Sequence, residues 1–176
     1  MHGMPCAFLT RLVAPSALGP EWGWLSGVPP LQASRLAYIG LRDLDAGERS
    51  TLKSLGIAAF TMASVDAVGI AAVVRKALRH LGGGKAPLHL SFDIDACDPG
   101  VAPSTGTAVA GGLTFREAHY LCEQVATTGA LRSMDMVEVN VELNRSGGAR
   151  SDTAAAGGTV GLAAGLIASA LGKTVL

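Results

Sequence analysis

The sequence carries no surplus of charge of either sign: lysine and arginine number 14, and so do aspartate and glutamate. Phosphate backbones are held by basic surfaces, so nucleic acid is excluded as the main partner. A small zwitterionic substrate stays open, because a few placed groups can hold it without a field. Charge is also scarce overall, at 16% against 49% hydrophobic residues, which excludes disorder by composition. Cysteine is sparse and odd in number: Cys6, Cys97 and Cys122 match no zinc spacing and read as reduced thiols of an intracellular protein. Met1 to Thr10 lacks a basic stretch followed by a long apolar run, so no secretory signal is expected, and there is no Arg- and Ser-rich presequence. The expected compartment is cytoplasmic, or mitochondrial if a presequence once preceded Met1.

One uncharged run, Ala154 to Gly172, approaches the length of a membrane span. Gly157, Gly161 and Gly165 fall at the spacing that lets membrane helices pair. The run is mostly alanine and glycine, which insert poorly, so the expectation is a helix packed tightly on a sheet and no membrane partner.

At 176 residues the chain suits a single domain with its own core. Residues 1–34 read as irregular, punctuated by Pro5, Pro15, Pro20, Pro29 and Pro30, with Trp22 and Trp24 packing on the surface. Residues 35–172 read as an α/β core. Strands are predicted over Leu36–Leu41, Ile57–Met62, Pro87–Ile94 and Met134–Val139, from apolar runs or two-residue alternation. Helices are predicted from Asp45 to Leu55, from Ser64 to about Leu81, from Thr114 to about Ala126, and from Asp152 or Thr153 through the Ala/Gly run. Asp45 with Glu48, and Thr114 with Glu117, have the spacing of a capping box. Alternating strands and helices indicate a mostly parallel sheet.

Ligands of such a sheet gather beyond the carboxyl ends of its strands. Acidic residues collect there: Asp43 and Asp45 after the first strand, Asp93, Asp95 and Asp98 after the third, Glu138 at the end of the fourth. Carboxylates crowded at one sheet end repel unless something positive neutralises them, and a divalent cation would do so. Asp93 and Asp95 leave the strand on the same face and could share one cation or a bridged pair. Oxygen ligands favour magnesium, manganese or calcium over zinc. The residues alone leave this open against a turn in which Asp98-Pro99-Gly100 merely stops the strand.

The segment HLSFDIDACDPGVAPSTGTAVAGGLTFRE is similar to the second metal-binding signature of the arginase family, through F-D-[IV]-D, D-P, P-x-T-G-T and G-G-L-[TY]. YIGLRDLDAGE resembles the family's segment that reads the amino-acid end of the substrate, MDMVEVN the strand bearing its guanidinium-binding glutamate, and HGMP its histidine-bearing loop. The order and spacing of all four fit, over nearly the whole chain. The resemblance implies a three-layer α/β/α fold with a mostly parallel sheet, as in arginases and deacetylases, here incomplete. It implies hydrolysis of L-arginine to L-ornithine and urea by a metal-activated hydroxide, two manganese ions, and assembly as a trimer or hexamer. Residue by residue, Asp93 would bridge the two ions and Asp95 would bind one. Glu138 would pair with the guanidinium, Asp45 and Glu48 would hold the α-amino group, Thr107 would line the site, and His2 would shuttle protons. His80, His89 and His119 are expected to be structural or surface residues.

An intact relative of this kind would carry G-G-D-H and D-A-H-x-D segments, and neither occurs in these residues. The resemblance therefore implies a C-terminal portion begun at an internal methionine, holding two of the family's metal ligands and inactive alone. Val141, Ala46 and Ala108 stand where proline is common, and Cys97 where leucine is typical. Two alternatives differ in class. An agmatinase-like hydrolase would prefer agmatine to arginine. A non-catalytic fragment would bind intact arginase subunits.

Overall fold

A computed structural model describes residues 5–145 and 158–173. Residues 5–35 hold only short pieces. These are a helix α1 at Pro5–Leu9 and 3-10 turns at Pro15–Leu18, Pro20–Gly27 and Ala33–Arg35. The prolines set this pattern by opening turns without a donor to continue them. Trp24 is exposed and lies beside Trp22, with ring centroids 6.2 Å apart.

The strands are β1 (Ala37–Leu41), β2 (Ala58–Thr61), β3 (Leu88–Asp93) and β4 (Leu131–Val137). All pairing is parallel, in two separate pairs. Ala37 lies beside Ala58, and Leu88 beside Leu131. The register of β1 slips between Ile39 and Leu41, where Gly40 takes a φ of 90° that a side chain would resist. In the second pair Asp93 faces Val137, which brings the end of β3 beside Glu138.

Helix α2 (Ala46–Leu55) opens on the Asp45–Glu48 capping box and closes at Gly56 in the left-handed conformation. The single helix predicted from Ser64 to Leu81 is instead two, α3 (Met62–Val68) and α4 (Ile70–His80). Gly69 separates them with φ 77° and ψ 153°, an extended left-side geometry no helix can include. The start also moves, because Thr61 rather than Ser64 is the N-cap, with Ser64 closing the reciprocal bond. The apolar spacing survives the break: Val65, Val73, Val74 and Ala77 are all buried. Helix α5 (Phe115–Thr127) begins at Thr114, whose capping box with Glu117 is as predicted. After β4 come α6 (Val141–Arg145) and α7 (Gly158–Ala170). The predicted start of the last helix, at Asp152 or Thr153, lies outside the described residues. No helix among the described residues is long and apolar enough to cross a membrane.

The core lies where α4, α5 and α7 meet β3. Ile94, Leu113, Leu166, Val73, Val74, Cys97 and Cys122 are almost wholly buried there. Burial at about 25 cal/mol per Å² makes this cluster the main stabilising feature of the fold. Gly165 of α7 sits against α5 so closely that a Cβ would come 3.1 Å from the His119 ring. His119, expected at the surface, is instead half-buried, with Nδ1 2.9 Å from the Ser169 hydroxyl of α7. The glycine that α7 needs for close packing is what encloses the histidine.

Candidate metal and substrate site

The chain leaves β3 through a short 3-10 turn, Ile94–Ala96, with Asp93 as its N-cap and Asp95 inside it, so the strand spacing expected to put both side chains on one face ends at Asp93. Ile94 is fully buried, so it anchors the turn in the core and leaves Asp93 and Asp95 toward the strand end. Asp93 Oδ1 accepts the Asp95 backbone N–H at 3.1 Å. Asp95 Oδ2 accepts the Thr107 hydroxyl at 2.6 Å. Burial pushes the Asp93 carboxyl up to about 6, the Asp95 amide opposes this, and the Asp95 and Glu138 charges add to the rise. Like charges held together in a half-buried position call for a cation.

The loop after this turn is locked to itself. The Asp98 carboxylate accepts Gly100 N–H and Gly111 N–H, each at 2.8 Å. These bonds hold the Asp98 carboxyl below the usual carboxylate range, Gly100 most strongly. Asp98 N–H donates to Leu113 O and Leu113 N–H to Ala96 O, both at 2.9 Å, beside a parallel bridge from Cys97 to Leu113. Gly112 makes the closure possible. A Cβ there would lie 2.5 Å from the Cys97 carbonyl carbon and 2.6 Å from the Asp98 nitrogen. Real side chains do not tolerate that approach, which is the physical reason for glycine in this segment.

Arg42 completes the lock. It follows β1, and its guanidinium donates to backbone carbonyls, to Asp95 O at 2.5 Å and to Val109 O at 2.7 and 3.1 Å. Arg42 carries no assigned role in the sequence, and Asp98 stands there among the crowded acids. The signals were present: an arginine amid strand-end carboxylates, and an Asp-Pro-Gly followed by Gly-Gly. Only the fold shows that residues 98 and 111 meet.

The substrate-side residues are placed less tightly. Glu138 lies one residue past β4 rather than inside the predicted strand, is exposed, and has φ 63°, a left-handed conformation costly for glutamate. Asp45 and Glu48 stand together on the first turn of α2. Asp45 Oδ1 accepts Glu48 N–H and Glu48 Oε2 accepts Asp45 N–H, each at 2.8 Å. One oxygen of each remains for other partners. Thr107 is exposed at the Asp95 carboxylate. His2 lies outside the described residues. Of the other histidines, His80 is exposed, and His89 lies exposed on the face of the β3–β4 pair, 3.3 Å from the Asp135 carboxylate.

The donor chemistry at Asp93 and Asp95 fits a hard divalent cation. Among the described residues, no three histidine, cysteine, aspartate or glutamate side chains gather into one metal shell. The two carboxylates are thus part of a shell rather than a whole one.

The chain is 51% identical to an arginase of Emericella nidulans over 176 residues, all of this chain and 51% of that protein. Its structure superposes on the arginase of Bacillus caldovelox with a TM-score of 0.84 at 32% identity, covering 99% of this chain and 54% of the other. It also matches the arginase of Entamoeba histolytica solved with L-ornithine, with a TM-score of 0.77 at 28% identity, over 98% and 53% of the respective chains. These neighbours have the three-layer α/β/α fold expected from the sequence. The chain spans about half the length of the curated relatives it matches. The Arginase family model matches residues 1–172, so the strand-end carboxylates and their locked loop lie within that match, and the chain belongs to the arginase family.

Proposed function

We infer that this chain carries part of an arginase active site, one that hydrolyses L-arginine to L-ornithine and urea with two manganese ions. The observation that carries this is the pair Asp93 and Asp95, two neighbouring carboxylates at a strand end bonded to one backbone amide and the Thr107 hydroxyl. Manganese, when bound, would lower the pKa of water enough to supply a nucleophile at neutral pH. The chain's own residues do the rest. Asp93 and Asp95 would hold the manganese through their carboxylate oxygens, Asp93 as the ligand common to both ions. Glu138, beside Asp93, makes a charge-assisted contact with the substrate guanidinium. Asp45 and Glu48 hold the α-amino group with the oxygens their capping box leaves free, Glu48 partly through water. Thr107 fixes the Asp95 carboxylate and lines the guanidinium side. His2 moves protons, as its near-neutral unperturbed pKa allows.

Two carboxylates are too few to fix a two-metal cluster, so the chain alone does not turn over. Trimeric or hexameric assembly and a cytoplasmic place in arginine metabolism belong to the same reading. The test is urea release from L-arginine and from agmatine after incubation with manganese, beside an Asp93→Asn control. The expected result is manganese binding lost in the control and no urea from either substrate. Urea release abolished by Asp93→Asn would show that two ligands suffice. A preference for agmatine would move the reading to the agmatinase-like alternative. Stable co-purification with a full-length arginase subunit would favour the non-catalytic, subunit-binding alternative.

A further inference from the structure

We propose that Arg42 is the positioning residue for Asp95, holding both ends of the Thr107–Asp95 hydrogen bond and tying them to the segment that leads into the Asp45 cap. This rests on the reading of Asp93 and Asp95 as cation ligands. The Asp95 carboxylate lies beside that of Asp93 and accepts the Thr107 hydroxyl at 2.6 Å. Arg42 holds the Asp95 carbonyl at one end of that bond and the carbonyl of Val109, two residues past Thr107, at the other. At the Asp95 end, Nη2 donates to Asp95 O at 2.5 Å and to Cys97 O at 3.4 Å, and Nη1 donates to Ala96 O at 3.3 Å. At the Thr107 end, two residues away, Nε and Nη2 both donate to Val109 O, at 3.1 and 2.7 Å. Nη1 turns back to Gly40 O at 3.4 Å, fastening the fork to the irregular end of β1.

The chemistry requires arginine. Carbonyls from residues 40, 95, 96, 97 and 109 converge from separate directions, and only a planar fork with five donors reaches them together. Three of the carbonyls, those of Asp95, Ala96 and Cys97, are consecutive at the end of the Ile94–Ala96 turn, and Ala96 O also accepts the Leu113 N–H at 2.9 Å. Asp45 lies three residues beyond Arg42, so the fork joins the metal-ligand turn to the segment that leads into the substrate cap.

The test uses the 176-residue chain with Arg42→Met, Arg42→Lys and Asp95→Asn. Two quantities are read: amide hydrogen exchange by residue, and the Mn²⁺ Kd by electron paramagnetic resonance titration. Asp98 and Leu113, whose amides bond across the loop, report on the lock, and amides of α5 report on global stability. Arg42→Met is expected to speed exchange at Asp98 and Leu113 at least tenfold with α5 within twofold. It is also expected to weaken Mn²⁺ at least tenfold, as loss of outer-shell support of a ligand does. Arg42→Lys should fall between, and it carries the test alone if the methionine variant does not fold. Equal acceleration in α5, or a loosened loop with unchanged Mn²⁺ Kd, overturns the positioning role. If Asp95→Asn weakens Mn²⁺ and neither Arg42 variant does, the positioning role falls and the metal reading stands. If the wild type ignores Mn²⁺, or Asp95→Asn binds it equally well, the metal reading falls and this inference with it.

Discussion

Asp93 and Asp98 lie five residues apart and live in opposite conditions. Asp98 sits in the locked loop, each oxygen bonded to a backbone N–H, its carboxyl held below the usual range. Asp93 sits at the strand end beside Asp95 and Glu138, its carboxyl pushed up to about 6. Folding has satisfied the first and left the second in need. Groups that a fold leaves strained or unneutralised are where function is to be sought. Glu138 repeats the pattern, exposed and in a left-handed backbone conformation. The lock around Asp98, Gly112 and Leu113 is therefore scaffold, and Asp93, Asp95 and Glu138 at the strand ends are the working surface. Substitutions should separate the two by the sign of their effect on stability.

The largest loss should come from Gly112→Ala, which drives a Cβ to 2.5 Å from the Cys97 backbone. Backbone cannot yield as a flexible side chain does, so the expected cost is about 4 kcal/mol or more. Gly106→Ala, in the same segment, meets nothing within 4 Å and should change stability by less than about 0.5 kcal/mol. Urea denaturation of both reads the difference. A Gly112 variant as stable as the Gly106 variant would mean that the loop is not closed as described. Next comes Leu113→Ala. Its side chain is 1% exposed, and truncation should cost about 2–5 kcal/mol by the same measurement.

Much of this scaffold was legible in the sequence where its causes are local. Alternation along Leu88–Phe92 and the Thr114–Glu117 cap involve residues a few positions apart, and both elements formed as expected. The helix through Gly69 misled because apolar spacing is blind to a single φ. The Arg42 fork and the Gly112 approach were unreadable for another reason: apart from Gly40, the partners of the first lie 53 to 67 residues away, and those of the second lie across a closed loop. At the site, the carboxylates could be picked out as residue types at strand ends. Which were bonded and which were left wanting depended on where residues 98, 107 and 111 came to rest.

A smaller effect of opposite sign is expected at Glu138. Left-handed geometry costs a residue with a Cβ about 1–2 kcal/mol, and glycine is free of that cost. Glu138→Gly should also remove a like charge from Asp93. Glycine's extra freedom in the unfolded chain offsets part of the gain. The net expectation is stabilisation of about 1 kcal/mol in the metal-free chain, read as a higher Tm. Destabilisation would place Glu138 with the scaffold and break the division drawn above.

The smallest effect is a pH dependence at Asp98, and its sign follows from linkage. The folded carboxyl is held below its unfolded value, chiefly by Gly100 N–H and then Gly111 N–H. As pH falls below the ordinary carboxylate range, the unfolded chain takes up the proton first and gains on the folded one. The contribution is thus fully present above the unfolded pKa and lost as pH falls through the folded one. Asp98→Asn keeps the size of the side chain but offers one acceptor oxygen where two amides need one each. Near neutrality it should cost about 1 kcal/mol, a figure kept low because the site is open to water. Tm measured from pH 7 down to pH 2 should show the wild type descending more steeply below pH 4, with the two curves converging in acid. Parallel curves would mean that the Asp98 charge does not hold the loop, leaving Gly112 and Arg42 to close it.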